Sequence, residues 1–370
     1  MHLDWGRSPE SWRRKVEARE VRGADSYGYQ TLREFYEVTF SRDLPREPWA
    51  VTAHRALRKV LGFDLAHLWT NRMQLRRSDV VVTHTEFEFI GVLVLLRLFR
   101  DRRRKVLCQA VWLWDRWPYL LPLQRLAYRH LMNRALVLTT HSHENVVVCR
   151  DVVPSVPAVV VPFGIQPLPP IAVAVDHADH ARPRVLSAGN DKDRDWDVLA
   201  RAAARTPLDL RVRSSSRVAR ASLDEVDASV RPSIDVDEFL DDLSWCDVVV
   251  VPLSSNRHAS GVTVALEALS VGRPVVVADT GGLRDYFGDA VQYYDVGDAA
   301  SLVASIRAAL VAGPSVVGRH CPHAHLKSRG LRSEDYARRH MVLIESLLSG
   351  RGVPAQVSEF VPPCISTVER

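Results

Sequence analysis

Residues 247–282 read DVVVVPLSSNRHASGVTVALEALSVGRPVVVADTGG. A continuous apolar run, DVVVVPL, leads through a Ser/Gly-rich loop into an oily helix. A second apolar run, RPVVVADT, then ends in a Gly-Gly turn. Short uninterrupted Val-rich strands alternating with helices indicate a parallel sheet covered on both faces. The loop between DVVVVPL and the helix exposes the free N–H groups and positive dipole end of a helix start, where a phosphate is well placed. Ser260, Gly261 and Thr263 are small enough to let one approach. Glu267 lies four residues beyond Thr263, on the same face and about one turn deeper. A phosphate would repel that carboxylate, whereas a diol such as a ribose would donate hydrogen bonds to it. A Glu267 that merely faces solvent is the plainer alternative.

The same alternation extends over the whole chain of 370 residues. In the second half, strands are expected at RVLSAGN (184–190), LDLRVRSSS (208–216), DVVVVPL (247–253), RPVVVADT (273–280) and VQYY (291–294). Helices are expected through DWDVLARAAAR and VDEFLDDLSW (236–245). In the first half the strands are YEVTF (36–40), DVVVTH (79–84), KVLCQAV (105–111), ALVLTTH (135–141) and AVVVPFG (158–164). Helices there lie at FIGVLVLLRLFR (89–100) and LPLQRLAYRHLMN (121–133). The proline-dense stretch after Gly164 supports neither helix nor strand and reads as a hinge. The expected organisation is an N-terminal domain over 1–164, a linker over 165–183, a second domain over 184–335, and a C-terminal helix and tail over 336–370 packing back on the first domain. The fold class is α/β, with two Rossmann-like domains facing across a cleft. The first 30 residues hold no apolar run, so the usual opening strand is expected to be absent.

Composition narrows the function. The chain is 46% hydrophobic and 25% charged, with a formal charge of +5. It has no apolar run long enough to span a bilayer, and no basic stripe interleaved with aromatics that would suit a nucleic acid. The five cysteines, Cys108, Cys149, Cys246, Cys321 and Cys364, form no CxxC pair. Scattered, odd in number and without a secretory leader, they indicate reduced thiols and a cytoplasmic protein.

A second strand-end loop, RVLSAGNDKDRDW, places Gly189 at the strand terminus with Lys192 and Arg194 close behind. Two cations there would neutralise a diphosphate; a solvated loop whose aspartates cap the next helix is the alternative. In the third loop, Gly281 and Gly282 let the backbone approach a ligand. In the first half, His84 ends the strand DVVVTH, with Glu86 in the first turn of the following helix. His141 ends another strand, and Trp114 belongs to an aromatic cluster suited either to stacking on a sugar or to core packing. These histidines have no matched acidic or thiolate partners, and CPHAH (321–325) is a lone cluster, so no metal is expected. The segment LRLFRDRRRK, with its cations from Arg97 to Lys105, reads either as a solvated helix end or as a contact for anionic lipid at the inner membrane face.

Together the three loops resemble those of GT-B glycosyltransferases, and among them the family 4 type, which uses nucleotide-sugars with retention. The likeness runs over about residues 155–310. The family's hinge is matched by VPFGIQ (161–166) and its Gly-rich donor loop by SAGNDKDRDW, with Asn190 where an arginine is usual. The second glutamate of its acidic motif is matched by Glu267, within LEALSVGRPVV, whereas the first falls on Ala259. Its GGxxE is matched by GGLRD, with Asp285 in the glutamate's place. The resemblance implies a nucleoside diphosphate-sugar donor in the second domain and an acceptor in the first. Glu267 would hold the ribose; the Ser260–Thr263 helix start, Arg194 and Lys192 would hold the diphosphate. His84 would lie beside the transferred sugar, and neither cofactor nor metal would be required. Rival readings are a nucleotide-sugar 2-epimerase of the same fold and a nucleotide-binding partner subunit that has lost catalysis.

Overall fold

The computed structural model describes residues 1–23, 25–171, 182–232, 235–313 and 323–363. Cys321, Cys364, most of the expected linker and part of CPHAH lie outside them. Two parallel sheets organise the chain.

The first sheet has the order β1-β2-β3-β4, with β1 (Val80–Val82), β2 (Lys105–Gln109), β3 (Val137–Thr140) and β4 (Ala158–Val160). Its register pairs Val81 with Val106, Leu107 with Val137 and Thr139 with Val159. Successive side chains point to opposite faces, and both faces are dry. Val81, Val106, Cys108, Leu138 and Val160 enter one core, beneath α3 (Leu65–Arg77), α4 (Glu86–Leu98), α6 (Pro122–Met132) and α7 (His143–Val152). Val82, Leu107, Val137 and Val159 enter another, shared with Leu3, Tyr29, Leu32 and Phe40 and with Tyr336, Met341, Leu343 and Ile344 of the C-terminal helix Ser333–Leu348. This double burial is why the strands read as unbroken apolar runs.

The opening strand is reduced rather than missing. His2 forms a single parallel bridge to Thr83, its N–H donating to Val82 O at 3.0 Å. On the other side, Met1 O accepts from Ser41 N at 2.9 Å. YEVTF is therefore not a strand as expected; only its end lies extended, with Phe40 in the core. Three polar-flanked residues at the start carry too little pattern to be read as an element. Helices α1 (Pro9–Glu17) and α2 (Pro48–Leu61) precede α3 and were also missed, for α1 and α3 are strongly polar and α2 has no net apolar character.

The second sheet has the order β10-β9-β8-β5-β6-β7, with β5 (Arg184–Ala188), β6 (Asp209–Arg213), β7 (Ala228–Arg231), β8 (Val248–Val251), β9 (Val275–Ala278) and β10 (Gln292–Tyr294). Around it pack α8 (Trp196–Arg205), α9 (Arg217–Ser222), α10 (Val236–Trp245), α11 (Val262–Ser270), α12 (Leu283–Phe287) and α13 (Ala299–Ala312). All four residues of β8 and of β9 are buried. The strand unforeseen from sequence is β7, an edge strand whose polar alternation, ASVR, lacks an apolar run. Among the described residues no helix is long and apolar enough to cross a membrane.

Candidate active site

The chain runs from β5 outward through β6 and β7, then returns to lay β8 on the other side of β5. Neighbouring strands whose connections leave in opposite directions open a crevice at their carboxyl ends, the usual ligand site of such sheets. The loops after β5 and β8 meet there. Arg194 bridges Leu253, Asp195 N donates to Pro252 O at 3.1 Å, and Ser254 N to Asp193 O at 2.9 Å. The loop after β9 joins through Asn256 N, which donates to Thr280 Oγ1 at 3.1 Å. The three glycine loops singled out in sequence thus converge on one crevice.

Arg194 occupies its floor. Only 7% of the residue is exposed, and its Nε and Nη1 have no hydrogen-bond partner. Burial draws its pKa down to about 10, opposed by the charge of Asp191. A Cβ on Gly189 would lie 2.3 Å from Nε, and one on Gly261 would lie 2.6 Å from Nη1. The guanidinium thus leaves no room for a side chain at Gly189, and together with Val251 Cγ1, 2.4 Å from such a Cβ, none at Gly261. Gly261, at φ +75°, also caps α11 without any side chain across its first turn. An unpaired buried cation beside an open helix start is strongly predisposed to an oxyanion. Lys192 does not share this place: it is exposed, with Nζ 2.7 Å from Asp193 Oδ1.

Along α11, Thr263 is exposed, and Glu267 retains some surface while lying deep. Its carboxyl forms no hydrogen bond or ion pair with a described residue, and desolvation pushes its pKa up to about 7. Ser260 donates to Asp191 Oδ2 at 3.1 Å. Asn190, at the position where an arginine is usual, accepts from Ser215 N at 2.7 Å and fixes the neighbouring loop. Gly281 and Gly282 have positive φ. A Cβ on Gly281 would lie 2.5 Å from His258 O, and one on Gly282 would lie 3.0 Å from Ser142 Cβ.

His258 was not anticipated. Its Nδ1 lies 3.0 Å from Asp115 Oδ2 and its Nε2 3.4 Å from Asp191 Oδ2, with the side chain 3% exposed. Burial lowers its pKa, but the two carboxylates outweigh that and lift it to about 9. Asp191, Asp193 and His258 are metal-ligand types brought close together. The imidazole and Lys192 between them meet three carboxylates, Asp115, Asp191 and Asp193. Asp115 belongs to α5 (Leu113–Arg116) of the first domain, so this contact joins the domains. Arg257 N donates to Asp115 Oδ1 at 2.7 Å, Ser142 Oγ donates to Arg257 O, and His143 Nδ1 lies 2.9 Å from Asp285 Oδ2. Tyr286 OH donates to His141 O at 3.0 Å and accepts from Phe163 N at 2.9 Å.

The acceptor-side residues fall differently from expectation. His84 lies two residues beyond β1 but is enclosed: the Tyr27 ring stacks on it at 3.4 Å, and its Nδ1 lies 3.1 Å from the Tyr29 hydroxyl. Burial, together with His141, His340 and Arg7, holds its pKa well below the usual value, so the ring is neutral. His141 is buried beside it, its Nδ1 3.1 Å from Val161 O. Glu86 is buried. Its Oε2 accepts from Val111 N at 3.1 Å and Trp112 N at 3.3 Å, anchoring the loop after β2. Trp114 is fully buried in the N-terminal core, so no face remains for stacking on a sugar.

Comparison with known proteins agrees with this architecture. Residues 229–315, from β7 through α13, match the family model described as Glycosyl transferases group 1. Among solved structures, a sucrose-phosphate synthase from Thermosynechococcus elongatus is similar with a TM-score of 0.65 at 15% identity, over 94% of this chain and 98% of that one. HepE of Anabaena, solved with UDP-glucose, gives 0.61 at 13%, over 93% and 98%. A glycosyltransferase from Rickettsia africae gives 0.55 at 10%, over 94% and 97%. No protein of curated function matches the chain. The two-sheet fold is that of GT-B enzymes, and with the matched segment it defines a glycosyltransferase.

Proposed function

We propose that this glycosyltransferase moves a sugar from a nucleoside diphosphate-sugar to an acceptor hydroxyl, with retention at the anomeric carbon. The observation that carries this reading is the buried, unpartnered guanidinium of Arg194 between Gly189 and Gly261, with Glu267 one turn down α11. Arg194 and the N–H groups of α11 would hold the diphosphate, with Ser260, Gly281 and Gly282 shaping its surroundings. Glu267 and Thr263 would face the nucleoside, the carboxylate accepting from the ribose diol. Lys192 would turn from Asp193 onto the outer phosphate.

In the reaction the bond from the anomeric carbon to the diphosphate oxygen breaks and one to the acceptor oxygen forms on the same face. The acceptor's proton passes to the departing diphosphate. The protein contributes position and fixed positive charge, with neutral His84 and His141 bordering the acceptor side. HepE, a structural relative, is solved with UDP and with UDP-glucose, so uridine nucleotides are the first to test. A thermal-shift series over nucleoside diphosphates and their sugars should give a clear rise in Tm for one base. If no nucleotide stabilises the protein, the reading fails.

The stretch Arg97–Lys105 would rest on anionic lipid at the inner face of the cytoplasmic membrane. Leu98, within it, is 73% exposed; Arg76 covers Phe99 at 4.5 Å and Arg72 covers Trp69 at 4.4 Å. Arginines interleaved with exposed apolar rings suit an interfacial contact. Sedimentation with phosphatidylglycerol vesicles but not with phosphatidylcholine vesicles, lost in Arg102→Glu/Arg103→Glu, would support it.

A further inference from the structure

The first domain holds a cavity of about 610 Å³ that none of the sequence motifs addresses. It lies where Asp4–Arg7 leave the reduced opening strand, closed in by α1, α2 and residues 43–46. Ligands of such sheets collect at this end, and the volume suits a small metabolite. Six strong cations line it: Arg7, Arg14, Lys15, Arg46, Arg55 and Arg58.

Two of these are neutralised by carboxylates of the same wall. Arg46 meets Asp64 at 2.6 and 3.1 Å, and Arg58 meets Asp4 at 2.7 Å. The other four form no ion pair with a described residue. Arg14 donates only to Ser11 Oγ and Lys15 only to Gly6 O, each at 3.0 Å. The side chains of Arg7 and Arg55 make no hydrogen bond to a described residue, and the Arg7 guanidinium lies over the Trp12 and Tyr27 rings. Against these four stand Glu20 and Asp43, and Asp43 already accepts from Ser8 N at 3.0 Å. The wall therefore carries excess positive charge held close together, and burial and the nearby Arg7 charge draw the pKa of Lys15 down.

The cavity is also one ring away from the strand-end histidine. The Arg7 guanidinium lies 5.7 Å from the centre of Tyr27, whose ring stacks on His84 at 3.4 Å. Anion binding at Arg7 would bring a ligand beside this aromatic layer at the acceptor-side strand end.

We propose that this cavity binds the phosphate group of the acceptor, which is therefore a phosphate-bearing molecule. The inference rests on the sugar-transfer reading, since it assigns the acceptor side of that reaction. Arg7, Arg55 and Lys15 grip the phosphate oxygens, and the remainder of the acceptor extends past Tyr27 toward the interdomain cleft.

Calorimetric titration of the full chain tests this without any donor. Glucose 6-phosphate is compared with glucose, and with dihexanoyl phosphatidic acid kept below its micellar concentration. A nucleoside diphosphate titration of each preparation reports the other site independently. At least one phosphate-bearing probe should bind, weaken as salt is raised, and lose about tenfold or more in affinity in both Arg7→Gln and Arg55→Gln. Nucleotide binding should be unchanged in both variants. Preference for the sugar phosphate identifies a soluble acceptor; preference for the lipid phosphate identifies a headgroup. Failure of both phosphate probes to bind, or binding that either variant retains in full, overturns the proposal. Intact nucleotide binding beside such a failure leaves the donor reading standing, whereas its loss in the wild-type chain removes both.

Discussion

His258 Nδ1 and Asp115 Oδ2 lie 3.0 Å apart although they are 143 positions apart in the chain and belong to different domains. The same imidazole reaches Asp191 in the loop after β5. One protonated ring therefore ties the donor-side loops to the first domain. Its pKa of about 9 stands above its unfolded value of 6.5, so its stabilisation is full below about pH 6.5 and is lost as pH rises through 9. Thermal unfolding followed from pH 6 to 9.5 should show a loss on the order of 2 kcal/mol across that window. Asp115→Asn should flatten the profile and enlarge the radius of gyration in solution scattering. A variant with an unchanged profile would contradict the clasp.

Glu267 shifts stability in the same direction, through desolvation of a carboxyl rather than pairing of an imidazole. A carboxyl raised from 4.5 to about 7 by burial makes the folded state less stable as pH rises between those values. A ribose diol donates to the ionised form, so nucleotide binding should tighten up to about tenfold between pH 6 and 8. Glu267→Gln should abolish that dependence, weaken binding by roughly 10- to 100-fold, and leave the empty protein equally or more stable at pH 8. Titration calorimetry across the pH series measures the binding effects, and thermal unfolding at pH 8 the stability.

Arg194→Ala should separate stability from activity. Its guanidinium is buried without partners on Nε and Nη1, an arrangement that costs folding energy and is retained for binding. The variant's Tm should match or exceed that of the parent, while turnover falls by roughly 100-fold or more. A large drop in Tm would mark Arg194 as structural.

Gly261→Ala and Gly297→Ala make a controlled pair, because both glycines sit at φ +75°. A Cβ on Gly261 would meet Val251 Cγ1 at 2.4 Å and Arg194 Nη1 at 2.6 Å, whereas one on Gly297 meets nothing within 4 Å. Gly297→Ala should cost about 1 kcal/mol from backbone strain alone. Gly261→Ala should cost 1–3 kcal/mol more and raise the donor KM at least tenfold. Equal behaviour of the two would refute the close fit around Arg194.

The sheets were largely legible because their strands are buried on both faces: DVVVVPL and RPVVVADT admit few other readings. The helix expected at 236–245 has those same ends, set by the Asp235 cap. Where burial is one-sided or the element is only a bridge, as at β7 and Met1–Leu3, the pattern fades. Within the site, Gly189, Arg194 and Gly261 were readable because strand-end spacing determines where they go. His258 was not, since a lone loop histidine takes its meaning from Asp115 in another domain. Trp114 misled for a related reason: aromatic density in a sequence does not distinguish a pocket wall from a core.

The C-terminal helix completes a face of the first sheet with Tyr336, Met341, Leu343 and Ile344. Tyr336 reaches the hydroxyl of Tyr29, 307 positions earlier, at 3.2 Å. While the chain is being synthesised, Val82, Leu107, Val137 and Val159 emerge long before the helix that covers them. The first domain should therefore leave the ribosome with an uncovered apolar flank. Its final packing then waits until the whole second sheet has been synthesised, which makes this a slow-closing, long-range contact.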